Sequence, residues 1–101
     1  MSAFARAVDS LFGKLGVAAI FQPRIGANIA VTIIPKRPDE IIGLAQNDIA
    51  TEVTLFDIRT AEVAEPKADD VIFFQGTEYR IIGEPRRDIH RLIWTMEAVK
   101  A

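Results

Sequence analysis

One histidine, His90, and two adjacent carboxylate pairs, Asp39-Glu40 and Asp69-Asp70, are the side chains of this 101-residue sequence best suited to acid–base or metal chemistry. His90 has no His-x-x-x-His partner and no carboxylate-rich spacing around it, so it lacks the ligand set of a zinc site. It also has no evident nucleophile to activate, and it reads as a residue at the start of the last strand, beside a charged turn. Paired carboxylates divide into acid and base when their surroundings push their pKa values apart. Sequence neighbours on a strand, however, point to opposite faces. Asp69-Asp70 follows Pro66-Lys67-Ala68 at a strand entrance, a position where Asp bonds local backbone amides. The absence of cysteine excludes disulfides, thiolate metal sites and a cysteine nucleophile. The glycines at 13, 16, 26, 43, 76 and 83 stand singly and build neither a P-loop nor a dinucleotide turn. The sequence therefore predicts no catalytic, cofactor-binding or metal-ligating residue, and a protein that is not an enzyme.

Charge points the same way. Twelve Lys and Arg against fourteen Asp and Glu give a formal charge of -2, without the basic excess of a nucleic-acid binder. Two basic clusters, Lys36-Arg37 and Arg86-Arg87 with Arg91, are interrupted by Asp39, Glu40, Glu84 and Asp88, an alternation suited to salt-linked rims and contacts between subunits. No apolar run is long enough to span a membrane. Asp9 falls where a secretory signal would have its apolar region. The expectation is a soluble chain made in the cytoplasm, with neither a membrane nor sequence-specific nucleic acid as partner.

Phe4, Val8, Leu11, Phe12 and Leu15 form the stripe of an amphipathic helix over residues 3–15, with Ser2 as its cap, Gly16 as its stop and Gly13 as a point of fraying or early ending. Such a short helix is marginal alone, so its apolar face must pack on the β structure that follows or on a neighbouring subunit. From Val17 the pattern is β. Val17–Phe21 and Asn28–Ile34 make a hairpin around Pro23 and Gly26, with Pro35 ending the second strand. Thr51–Thr60 is a strand with two partly apolar faces. Val71–Phe74 and Glu78–Ile82 flank the hairpin loop Gln75-Gly76-Thr77. Glu84–Asp88 reads as a turn. Leu92, Trp94, Met96 and Ala98 then alternate with polar neighbours in the last strand, and Trp94 is the expected centre of the core.

These elements predict a single domain, residues 1–101, that is mainly β: a small antiparallel β-barrel or sandwich of about six strands over residues 17–99, with one N-terminal α-helix. A long loop, residues 36–50, lies between strands 2 and 3. Fifteen residues is more than a compact domain needs, and Ile41, Ile42, Leu44 and Ile49 make the segment more apolar than a solvated linker. It either packs back as a short helix or awaits a partner, ordering on assembly. An alternative reading of the same architecture is a small OB- or SH3-like barrel that binds nucleic acid or another protein.

The helix ending Leu11-Phe12-Gly13, the run Arg37-Pro38-Asp39-Glu40, and the strand Thr54-Leu55-Phe56-Asp57-Ile58-Arg59 followed by Glu62-Val63 occur here in a recognisable order. Pro66, Asp70, Tyr79, the hairpin from Val71 to Ile82, and Asp88 before Leu92-Ile93-Trp94 complete it. This order resembles the head-tail joining (attachment) proteins of lambda-like phages, prophages and gene transfer agents. Where that family shows Gly-Asp before the hairpin, this chain has Asp69-Asp70. The resemblance implies a virion neck protein, made in the bacterial host cytoplasm, whose copies form a ring of six between head and tail. Its implied partners are itself, the portal- or adaptor-side neck protein, and the tail terminator and tail tube proteins, with DNA passing through the ring. Arg37, Asp39, Glu40, Ile41, Ile42 and Leu44 are the expected interface residues, followed by Arg86, Arg87 and Asp88.

Overall fold

The period-2 pattern is realised as a ladder of antiparallel strands that closes on itself. The computed structural model describes residues 3–36 and 53–101. Within them, helix α1 (Ala3–Leu15) precedes strands β1 (Val17–Gln22), β2 (Ile29–Lys36), β3 (Thr54–Arg59), β4 (Val71–Phe74), β5 (Thr77–Arg87) and β6 (Ile93–Lys100). The strands form a closed barrel in the order β1-β2-β3-β6-β5-β4. Closure is made by β1 and β4, through Ile20↔Phe73, Phe21↔Ile72 and Gln22↔Val71. The sequence-predicted class, a small six-strand barrel with one N-terminal helix, is the fold observed. The remainder of the long segment between β2 and β3, with the cap assigned to Ser2, lies outside the described residues.

Alternate residues of every strand fill the interior. Phe21, Val31, Ile33, Phe56, Ile58, Ile72, Ile81, Met96 and Ala98 are buried there together, and Val63 joins them from the connection after β3. Each large side chain removed from water contributes about 1.5–3 kcal/mol. Phe56 is met edge-on by Tyr79 and Phe74, with ring centroids 5.2 and 6.1 Å away. Trp94, expected at the centre, sits instead at the margin of this core. Its Nε1 donates to the Val63 carbonyl at 2.9 Å, and the Arg87 guanidinium lies over its ring at 5.1 Å. An indole N–H needs an acceptor, which the dry interior does not offer.

Strand alternation puts the connections 23–28, 60–70 and 88–92 at one end of the barrel. The Gln75-Gly76 turn and the chain's last residue lie at the other. Because β3 and β4 are not neighbours in the barrel, the 60–70 connection must cross the mouth. It does so with Val63 and Pro66 buried, and so plugs that end.

Four local expectations are corrected. β2 continues through Pro35 to Lys36, because beyond Ile33 it pairs with β3 alone and no β1 residue requires the missing proline N–H. Glu84–Arg87 is strand rather than turn. Between Ile82 and Arg86, β5 places Gly83, Glu84 and Pro85 opposite the single residue Met96 of β6. This bulge, with Gly83 at φ 70°, accommodates the proline. His90 accordingly belongs to the turn before β6. Gly13 does not end α1, which runs on to Leu15.

Several of the turns use positive φ. Gln75 and Gly76 have φ of 53° and 81°, the pairing of a two-residue type I′ hairpin. Asp69, just before β4, takes φ 75°, which Asp tolerates better than most residues.

Gly13, inside α1, and Gly16, just beyond its end, differ in kind. A Cβ on Gly13 meets nothing within 4 Å, whereas one on Gly16 would lie 2.3 Å from Thr32 Cγ2 and 2.4 Å from the Phe12 carbonyl oxygen. Gly13→Ala is therefore expected to raise stability by about 1 kcal/mol. Gly16→Ala should lower it by about 1–3 kcal/mol, with urea unfolding as the measurement in both cases.

Candidate interaction site

Arg59, near the end of β3, seats the helix. Its guanidinium lies 5.2 Å from the centroid of the Phe12 ring. It donates to Asp9 of α1 at 3.2 Å and to Glu62 in the connection that follows β3. Glu62 in turn accepts the Thr32 amide at 2.8 Å, where the pairing of β2 with β3 has ended. Burial alone would lower the Arg59 pKa, but the hydrogen bonds and charges of Glu62, then of Asp9, outweigh it and hold the guanidinium above its ordinary value. One fixed cation thus joins α1, β3 and, through Glu62, β2.

Asp88 organises the turn before β6. Its carboxylate accepts amides from Leu92 at 2.7 Å, Ile93 at 2.9 Å and His90 at 3.3 Å, and Arg91 there has φ 58°. Burial alone would raise its pKa, but the amides of Ile93, Leu92 and His90 hold it below the usual carboxylate value. The His90 ring stacks on Phe4 of α1, with centroids 4.0 Å apart, which engages the lone histidine in packing.

The remaining sequence-singled residues are placed as follows. Arg86 is exposed on β5, with its Nη2 3.7 Å from Glu97. Arg87 is exposed and stacked on Trp94. Arg37, Asp39, Glu40, Ile41, Ile42 and Leu44 lie outside the described residues. The two basic clusters do not converge. Lys36 ends β2 at the far end of the barrel from Arg86, Arg87 and Arg91, and its Nζ is 2.8 Å from the buried carboxylate of Asp57. Asp57 also accepts the Thr95 hydroxyl at 2.8 Å. Asp70, buried, accepts amides from Arg24 at 2.9 Å and Lys67 at 2.8 Å, while Asp69 lies 3.4 Å from Arg80. Among the described residues no cluster of His, Asp and Glu is arranged to hold a metal, and no helix is long and apolar enough to cross a membrane.

The unsatisfied surface is apolar. Of the helix stripe only Phe12 is buried, while Phe4, Leu11 and Leu15 are 57%, 43% and 57% exposed. Beside the helix, the outer faces of β2, β1 and β4 form a depression of about 400 Å3, with Ala18, Ile20, Ala30, Thr32 and Phe73 in its lining. The helix periodicity was legible in the sequence. That its face turns mostly outward was not, because an amphipathic stripe looks the same whether its own barrel or a neighbour covers it.

Two substitutions test these anchors. Arg59→Lys keeps the charge but loses the planar fork, and is expected to cost about 1–2 kcal/mol in chemical denaturation. Asp88→Ala should cost about 1–2 kcal/mol at pH 7. The folded carboxyl titrates below the unfolded one, so its contribution is full above about pH 4 and is lost as pH falls further. The gap between Asp88→Ala and the parent should narrow accordingly in denaturation curves taken down to pH 2.5, a value chosen to lie about a unit or more below the unfolded carboxylate.

Residues 1–98 match the family described as Phage Head-Tail Attachment protein. No curated protein and no solved structure matches the chain. That family is one of structural phage proteins that join head to tail, and its match extends from the N-terminal residue almost to the end of β6. The chain belongs to the phage head-tail attachment family.

Proposed function

We propose that the protein is a structural component of the virion neck that joins the DNA-filled head to the tail by ring assembly and ordered protein–protein binding. The observation that carries this reading is the family match over residues 1–98. Copies assemble as a ring of six, with the portal- or adaptor-side neck protein on one face, the tail terminator and tail tube proteins on the other, and DNA passing through the centre. The free chain is made in the host cytoplasm.

The fold suits such a part. A closed barrel has no free sheet edge to pair with the wrong partner, and its two ends differ: one is plugged by the 60–70 connection, and the other carries the chain into the long segment after Lys36. In this reading Arg37, Asp39, Glu40, Ile41, Ile42 and Leu44 contact neighbouring subunits or the channel, and Arg86, Arg87 and Asp88 line a contact at the plugged end. The protein works by presenting surfaces and performs no reaction.

The test is complementation. Filled heads and free tails, prepared from a phage deleted for this gene, are mixed with the purified protein and assayed for infectious particles. Joining restored by the protein is the expected result. A deletion that leaves tail attachment intact, or purified protein that binds neither heads nor tails, would overturn the proposal.

A further inference from the structure

The exposed stripe of α1 and the depression on β2, β1 and β4 are both apolar, and within one copy neither covers the other. We propose that they cover each other between copies: Leu11 and Leu15 of one subunit seat against Ala18, Ala30 and Phe73 of the next. This inference rests on the ring reading above and names the surfaces that would build the ring.

Three observations favour a second copy of this chain as the occupant. The first is shape. The helix presents a convex ridge, and small side chains at positions 18 and 30 leave a hollow of about 400 Å3 opposite it. The second is charge. The carboxylate of α1, Asp9, is already engaged by Arg59, while Arg6 and Lys14 are exposed and have no carboxylate partner among the described residues. At the margin of the depression, Glu78 stands opposite Phe73 in the β4–β5 register, exposed and likewise unpaired among the described residues. Lys14, about 60° round the helix from Leu11, thus has Glu78 available as a partner across the contact, whereas Arg6 lies on the far side of the helix. The third is size. A handful of side chains falls well short of the 20–30 residues per partner, about 800 Å2 each, of a stable isolated interface. The contact fits copies gathered on a template rather than a tight free dimer.

The direction of the contact follows from the barrel. The helix lies along β2 and β3, with Gly16 beside Thr32 of β2, Asp9 bound to Arg59 of β3 and Phe4 on His90. The depression is centred on β1. Two different patches in contact make a head-to-tail association. Since they face adjacent sides of the barrel rather than opposite ones, each copy turns relative to the last. Such a turn makes a ring where the rotation closes, as the ring reading above requires, and a helical filament where it does not.

The natural absence of cysteine makes the test clean. Single variants Leu11→Cys and Leu15→Cys are each mixed with Ala18→Cys or Ala30→Cys, and the mixtures are used to join filled heads to tails before mild oxidation. Helix-to-depression disulfides in the joined particles are expected, as is a multimer ladder from the double variant Leu15→Cys/Ala30→Cys. Ala30→Arg, at an exposed position, should leave thermal unfolding unchanged yet reduce joined particles about tenfold or more. Joined particles in which only like-to-like disulfides form, or none, would overturn this inference and leave the joining role standing. The same holds if Ala30→Arg joins as well as the parent. Failure of the parent protein to join particles at all would remove both.

Discussion

Three residue pairs between β1 and β4 turn a curled sheet into a closed barrel, and every other feature of the molecule is positioned relative to that seam. β4 supplies only four residues, so the seam needs support from outside the ladder. Asp70, next to β4, provides it. Its carboxylate takes the amides of Arg24, beyond β1, and Lys67, in the crossing connection, and its carbonyl accepts the Ile81 amide of β5. Such a buried carboxylate is tolerable because several backbone donors replace its water. Its bonding is spent on holding two connections over one strand end.

The same use of carboxylates recurs. Asp88 gathers three amides of a turn, Glu62 fills the place vacated where β3 leaves β2, and Asp57 links Lys36 to Thr95. Asp70, one of the acids that looked most like chemistry in the sequence, is a fastening of the same kind. This is why one residue of a pair such as Asp69-Asp70 is buried while its neighbour is exposed beside Arg80: one serves the backbone, and the other occupies a left-handed turn position.

Strand positions and the barrel class were legible in the sequence because alternation of apolar residues is a local signal, and Gly76 marked the β4–β5 hairpin, although Thr77, read as loop, already pairs with Phe74. What escaped notice depended on contacts distant in sequence. The β5 bulge hides behind Pro85, which locally spells a turn, and becomes strand only because Met96 faces three residues at once. Trp94 has the right parity for the core, but its N–H draws it to the Val63 carbonyl. The helix stripe was plain, yet its docking relies on Arg59, fifty positions from Asp9, a pairing with no local trace. Candidate interface residues on the segment after Lys36 came from resemblance, whereas the apolar surfaces of α1 and β1 emerge only from knowing which side chains the barrel leaves uncovered.

Gly16 is the whole of the link between α1 and β1. With no slack in the joint, a helix gripped by a neighbour would transmit force lengthwise into a strand bonded on both sides, across five pairs with β2 and three with β4. Loaded in that direction the pairs resist together, as in shear, rather than opening one after another like a zipper. A subunit held through α1 would therefore behave as a stiff link under tension.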